Sequence, residues 1–197
     1  MKIIHLSDTH GKHRQLTDLP EADVIVHTGD FCNDGTLEEA EDFIHWFCNL
    51  PYQHKIFIAG NHDNCLYGAK IEGLPDNVHY LCNESVTING IKFYGVPMFL
   101  QDDLDGNFPK LYNNIPYDTD ILLTHQPPFS ILDESEGIHF GDRDLYKRVM
   151  EVMPVFHLFG HIHSSKESKC VFQKVRFSNA ASLAIENYRV ITIKDYG

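Results

Sequence analysis

Five times along this chain a short run of β-branched, leucine and aromatic residues stops at a cluster of Gly, Asp, Asn and His. Ile3-Ile4-His5-Leu6 leads to Asp8-Thr9-His10, and Val24-Ile25-Val26 to Gly29-Asp30. Ile56-Phe57-Ile58 leads to Gly60-Asn61-His62-Asp63, Ile121-Leu122-Leu123 to Thr124-His125, and Val155-Phe156-His157-Leu158-Phe159 to Gly160-His161-Ile162-His163. Short apolar runs bounded by Gly, Asn and Asp are the pattern of buried strands, so the polar residues fall at strand ends or on the loops just beyond them. In open α/β sheets that is where binding sites are built.

Side chains of an extended segment alternate in direction, so Asp8 and His10, and likewise His161 and His163, can each offer two ligands from one segment. Asp30 has two carboxylate oxygens and can bridge two cations. Asn61 adds a neutral amide oxygen, on a turn that Gly60 eases. Any one of these pieces is more often an ordinary turn or a hydrogen-bonded surface group. Five of them in this order, each after a strand, point to a two-metal hydrolytic centre.

The series D-x-H, G-D, G-N-H-D/E, H and G-H-x-H, read here from Asp8 to His163, resembles that of the calcineurin-like metallophosphoesterases. The resemblance implies an α/β (α+β mixed) fold, a four-layer α/β/β/α sandwich of two mixed β-sheets flanked by helices. It implies Asp8, His10 and His163 as ligands of one metal, Asn61, His125 and His161 as ligands of the other, and Asp30 as the bridge. His62 would stand unliganded beside the phosphate. The stretches Asp23–Phe31, Glu41-Asp42-Phe43 and Lys55–His62 look similar to the small metallophosphoesterase-domain phosphodiesterases. Some members of that subgroup lose one histidine of the last pair, whereas this chain keeps both.

One departure concerns the protein serine/threonine phosphatase branch, whose G-D-x-x-D-R-G places an Asp beside the histidine and an Arg on the phosphate. Here the segment is Gly29-Asp30-Phe31-Cys32-Asn33-Asp34-Gly35, with Asn33 and Asp34 in those two places. That counts against protein phosphatase activity and leaves Asn33 and the adjacent Asp63 as candidate partners of His62. His27, just before Gly29-Asp30, is a candidate for orienting a ligand.

Phosphoester hydrolysis needs such a set because the phosphate repels an anionic nucleophile and charge builds on the leaving oxygen. Two cations about 4 Å apart neutralise that charge and acidify a bridging water, while His62 is the candidate to protonate the leaving group. The catalytic candidates are therefore His62 and Asp30. Imidazoles with carboxylates and one amide suit two divalent transition metals, Mn foremost, with Fe, Zn, Ni or Co also compatible. No cysteine falls in a ligand position, and Cys32 is expected to be a buried thiol.

A length of 197 residues without linker, repeat or low-complexity tract suits one domain over 1–197. Five cysteines without paired spacing do not form a secreted disulfide framework, and neither an export signal nor an apolar run of ~18 residues is present. A cytoplasmic protein with no membrane partner is expected. The net charge of −12 makes long nucleic acid an unfavourable partner. The densest basic stretch, Lys166, Lys169, Lys174 and Arg176, alternates with Val171, Val175 and Phe177 as one solvated face of a hairpin would. The expected partner is a small phosphate-ester substrate, and homo-oligomerisation stays open.

Thr36 opens a capping box with Glu39, followed by Ala40, Phe43, Ile44 and Phe47 at helical spacing. Leu50-Pro51 ends that helix and Ile56 opens the next strand, completing a β-α-β unit like the one before it. Ser85–Tyr94 holds Asn89-Gly90 between alternating runs, the pattern of a hairpin, and Val171–Phe177 and Arg189–Ile193 predict further antiparallel strands, which together would make the second sheet a mixed one. Substrate choice is expected in the loops Phe99–Asp118 and Gln126–Asp142. Tyr112 or Phe129 there could stack on a nucleobase, although pinning its own loop suits either better, and His13 and His139 lie on loops that could face the site. The combined reading is a bimetal phosphohydrolase, foremost a phosphodiesterase on small or cyclic nucleotide-like diesters, with a phosphomonoesterase and then a nuclease behind it. A metal-binding scaffold without catalysis is the contrasting class, and the complete ligand set with His62 argues against it.

Overall fold

The computed structural model describes residues 1–164, 168–181 and 188–193. In chain order the elements are β1 (Lys2–Leu6), β2 (Val24–His27), α1 (Leu37–Cys48), β3 (His54–Phe57), β4 (Val78–Tyr80), β5 (Glu84–Ile88), β6 (Ile91–Val96), α2 (Leu100–Leu104) and α3 (Phe108–Asn113). They continue with β7 (Ile121–Thr124), β8 (Glu134–Ser135), β9 (Ile138–His139), α4 (Arg143–Val152), β10 (Phe156–Phe159), β11 (Lys169–Phe172), β12 (Val175–Asn179) and β13 (Arg189–Thr192).

One sheet runs β13-β1-β2-β3-β4 and the other β11-β12-β10-β7-β6-β5. Both are mixed, because β13 lies antiparallel to β1 while β5 and β11 lie antiparallel to their neighbours. Strands β2, β7 and β10 are buried on both faces, which is why they read as unbroken apolar runs. Ile3, Val26 and Ile56 of the first sheet meet Phe93, Ile121 and Leu158 of the second in the central core. On the outer side of the first sheet, Ala40, Phe43 and Phe47 of α1 pack on Ile4, Ile25 and Phe57. On the far side of the second, Tyr112, Leu145 and Val149 of α3 and α4 pack on Leu122, Phe159 and Phe177. These are the four layers expected, and the second sheet is mixed as expected.

The capping box forms: Thr36 Oγ1 accepts from the Glu39 N–H at 3.2 Å, and the Glu39 carboxylate accepts from the Thr36 N–H. The same carboxylate also takes the N–H groups of Asn33 and Asp34, so the start of α1 secures the loop after Asp30. Asn89 and Gly90 both take positive φ between Ile88 and Ile91, which pair across the β5–β6 turn. In the β11–β12 hairpin Val175 and Phe177 are buried and Arg176 is exposed, as the alternation implies, but Val171, expected on the apolar face, pairs with Arg176 and is itself 67% exposed. Lys166 lies outside the described residues.

Two expectations fail. Only a single 3-10 turn, His13–Gln15, lies between β1 and β2, so the first crossover is not a β-α-β unit. The space is filled instead by the buried ring of His13, which packs on Phe43 and Trp46 and reaches Asp42 Oδ2 at 3.1 Å, facing away from the strand ends. The C-terminal strands also divide between the sheets, β11 and β12 joining one and β13 the other.

Strands β1, β2 and β3 are mutually parallel, as are β6, β7, β10 and β12. Their C-terminal ends meet at one edge of the sandwich, where His125 Nδ1–H from the second sheet donates to Thr28 O of the first at 2.8 Å. Inside, His157 is wholly buried, and its Nε2 lies 2.8 Å from Thr124 Oγ1. Burial pushes its pKa down to about 3. The unfolded chain takes up this proton near pH 6.5, so the stability His157 contributes is complete above that pH and is lost as pH falls toward 3. Between pH 6 and 4 the unfolding free energy of the wild type should fall more steeply than that of His157→Gln, by up to about 1.4 kcal/mol per pH unit. Denaturant melts across that window measure it, and equal slopes would refute a neutral buried imidazole.

Candidate metal centre

Asp8, His10, Asp30 and His161 all sit at positive φ, 57°, 43°, 57° and 71° respectively. Alternation along an extended segment is therefore not what aims these side chains, contrary to expectation. Each is thrown sideways by a left-handed residue just past its strand, a conformation that Asp and His tolerate better than most side chains. Such strain costs of order 1 kcal/mol or more per residue and persists only where the surroundings hold it. Here they do: Asp8 N–H bonds Gly29 O at 2.9 Å, His10 N–H bonds Asp30 O at 3.0 Å, and His161 N–H lies 3.1 Å from Asp8 Oδ2.

The loops bring the expected side chains together in groups whose ligand atoms lie within 4.8 Å of one another: Asp8, His10 and His163; Asp30, His125 and His161; and His10, Asp30 and His62 between them. His163 Nε2 is 2.8 Å from Asp8 Oδ1 and 3.3 Å from His10 Nε2, while His125 Nε2 is 3.3 Å from Asp30 Oδ2. The outward ring nitrogens are committed to backbone acceptors. His10 Nδ1–H donates to Cys32 O at 3.2 Å, His125 Nδ1–H to Thr28 O, and His62 Nδ1–H to Asn33 O at 2.7 Å. That leaves the Nε2 lone pairs of His10 and His125 for the centre, as in metal-binding histidines.

Two atoms test whether this set fits metal ions. Asn61 Oδ1 is buried and makes no hydrogen bond, and His125 Nε2 has only the Asp30 carboxylate beside it at 3.3 Å, a condition that a cation between these groups would relieve. Without a cation the carboxylates lean on histidine instead. Burial opposes the charge of both Asp8 and Asp30, yet the His163 hydrogen bond to the first and the charge of His125 near the second hold their pKa values below the usual range. Burial likewise disfavours charging His125, but the charge of Asp30 outweighs it and pushes the pKa up to about 10. His161, dominated by burial, is pushed down to about 4. A protonated imidazole thus stands where a divalent cation would displace its proton.

Asp63 does not reach the ring of His62. Its buried carboxylate accepts the N–H groups of Asp30 at 2.7 Å, Cys32 at 2.8 Å and Gly60 at 2.8 Å. Burial and then the charge of Asp30 raise its pKa to about 7, against three donors that favour the ionised form. The partner of His62 is the carbonyl of Asn33, whose side chain turns away to Asp34. His27 holds backbone rather than a ligand ring: its Nδ1 accepts from Gly29 N–H, so Nε2–H donates to Thr9 Oγ1, between Asp8 and His10. Gly60 is required for closeness and not for its turn, since its φ is not positive and a Cβ there would collide with Asp30 Oδ1.

The centre floors a cavity of 390 Å³ whose walls include Ser135, Phe140, Ile162 and Ser164. His139 faces elsewhere, bonding Asp133 Oδ1 at 2.7 Å. Tyr112 is buried and stacked on Phe108, and Phe129 lies under the Arg143 guanidinium, so both aromatics pin their own loops. Asn179, unremarkable in sequence, donates to Leu132 O and Ile162 O and so holds the His161–His163 segment against the loop opposite. Cys32 is a buried thiol as expected, and burial raises its pKa.

Removing the Asp63 acceptor should cost about 3 kcal/mol or more by stranding three buried N–H groups. For a chain of this size that lowers Tm by roughly 6–12 °C, and Asp63→Ala should also bind less metal than wild type. A Tm within about 2 °C of wild type in a calorimetric scan would discard the brace. Asp30→Asn should keep at most one of two Mn²⁺ ions by elemental analysis, whereas retention of both would sink the bridging assignment.

Comparison with known proteins bears on the whole arrangement. The chain is 32% identical to the human metallophosphoesterase domain-containing protein 1, covering 82% of this chain and 60% of that one. It is 30% identical to a 3′,5′-cyclic-nucleotide phosphodiesterase of Nostoc sp., covering 73% and 57%. The chain thus spans less than two thirds of the length of these curated relatives. A solved archaeal phosphodiesterase shares the fold with a TM-score of 0.52 at 18% identity, covering 98% of this chain and 100% of that one. The model of the calcineurin-like phosphoesterase family matches residues 1–165, from β1 through the last histidine of the centre, and the chain belongs to that family.

Proposed function

We propose that the protein is a two-metal phosphohydrolase whose substrates are small phosphodiesters, with cyclic nucleotide-like diesters foremost. The observation that supports it most is the convergence of Asp8, His10, Asp30, His125, His161 and His163, together with the buried Asn61 Oδ1 that makes no hydrogen bond. Asp8, His10 and His163 would hold one ion, Asn61, His125 and His161 the other, and Asp30 both. The donor set favours Mn²⁺, with Fe, Zn²⁺, Ni²⁺ or Co²⁺ compatible. Bound there, the two ions would neutralise phosphate charge and supply an acidified water as nucleophile.

The chain's own groups complete the chemistry. The Asn33 carbonyl engages His62 Nδ1–H and fixes the ring, so that in the imidazolium form Nε2–H is the group that would hand a proton to the leaving oxygen, returning the ring to neutral. Diester over monoester is supported by charge: among the described residues no Arg or Lys lines the cavity, which suits a monoanion better than a dianion. The Nostoc relative is named for a diester substrate, in the same direction. Among the described residues no helix is long and apolar enough to cross a membrane. A reducing, cytoplasmic setting fits the thiols of Cys32, Cys48, Cys65 and Cys82.

Protein stripped of metal and reloaded with Mn²⁺, Zn²⁺, Ni²⁺ or Mg²⁺ singly should hydrolyse a chromogenic phosphodiester faster than the matching monoester, with a transition metal best. Preference for the monoester would move the reading to a phosphomonoesterase, and silence with every metal to a scaffold. His62→Ala should keep both ions yet slow esters of poor leaving groups by about 10²- to 10⁴-fold. Equal slowing across leaving groups would remove the proton-donor role.

A further inference from the structure

We propose that Phe140 is the platform on which the organic part of the substrate stacks, so that the cavity selects phosphoesters bearing a flat heteroaromatic ring of the nucleobase kind. This inference rests on the phosphoesterase reading and names the substrate class of the same cavity. Phe140 shares the cavity walls with the metal-binding side chains and His62, and is 49% exposed. The other apolar wall residue, Ile162, is buried at 7% and offers little face to a ligand. Among the described wall residues Phe140 is therefore the apolar side chain with open surface that the ring of a ligand could cover.

The ring does not hang on a slack loop. The Phe140 N–H donates to Asp133 O at 3.1 Å, and its carbonyl accepts from Gln126 Nε2 at 2.8 Å. Asp133, 1% exposed, gathers the rest of the loop: its carboxylate takes Ser130 N–H, Gly141 N–H and His139 Nδ1–H at 2.9, 2.9 and 2.7 Å. A Cβ at Gly141 would press on Pro128 O and Asp133 Oδ2, so the backbone next to Phe140 has no slack. The backbone that carries the ring is thus set in place before any ligand arrives, which limits what binding must order. Across the mouth, the hydroxyls of Ser135 and Ser164 bond each other, tying the β8–β9 hairpin to the segment after His163 and adding polar groups for a ring edge or a sugar. A volume of 390 Å³ suits a small molecule rather than a folded partner.

The test compares two phosphonates that no esterase can cleave, the 5′-phosphonate analogue of thymidine monophosphate and propylphosphonate, binding to Mn²⁺-loaded protein by calorimetry. Stacking of ordinary strength predicts that wild type prefers the nucleoside phosphonate about tenfold. The preference should collapse in Phe140→Ala and return in Phe140→Trp, with metal content measured in each. Equal affinities in wild type, or a preference that survives in Phe140→Ala, would overturn the platform while leaving the phosphoesterase reading intact. If neither phosphonate binds, the platform falls, and hydrolysis of the chromogenic diester decides the phosphoesterase reading separately.

Discussion

One buried carboxylate ties together the parts on which the rest depends. Asp63 accepts from the backbone of Asp30, Cys32 and Gly60, residues that leave two neighbouring parallel strands. Those three bonds hold Asp30 in its left-handed conformation and bring Gly60 so near that no side chain would fit. Asn61 and His62 follow directly. The backbone N–H of His62 in turn bonds Asp30 Oδ1 at 2.8 Å, closing a small ring of contacts around the residue proposed to bridge two ions. Strain at a site persists when its surroundings over-determine it, and these contacts do so here.

Electrostatics build outward from that point. Carboxylates and imidazoles crowd at the junction of two sheets where burial disfavours every charge, so the groups compensate one another: His163 with Asp8, His125 with Asp30. Neutral histidines form a further ring beneath them. His5 lies between Thr28 and Ser178, His27 beside Thr9, His157 beside Thr124, and burial lowers the pKa of all three. His5 and His27 each bond on two sides, and none of the three brings a net charge into the core. Eight of the histidines thus gather at this junction, five around the candidate centre and three as neutral groups within the sheets.

The outer loops answer to other constraints. The segment from Gln126 to Asp142 is shaped by its own buried acid, Asp133, much as the centre is shaped by Asp63. Both devices use a short carboxylate to satisfy several backbone donors where no strand partner exists. The first fixes the side chains proposed to hold metal, whereas the second fixes the loop that carries Phe140 at the cavity wall.

The sequence by itself determined the strands that lead to the centre, the capped helix α1, the Asn89-Gly90 turn and the residues that converge there, because each is written in a few adjacent positions: an apolar run, a Thr-x-x-Glu, a Gly-Asn-His-Asp. It also marked the family through their order. Local pattern could not say how those residues are held. It implied alternation where left-handed residues do the aiming, and a flexible turn at Gly60 where crowding demands glycine. It offered Asp63 to His62, although the carboxylate turns to the backbone and the carbonyl of Asn33 takes the ring. Partners such as Asn179 with Ile162, or Phe140 facing the centre across a loop, depend on contacts between segments far apart in the chain. Tertiary structure alone decided these, because which polar group a buried donor finds is settled by the packing of two sheets and not by its neighbours in sequence.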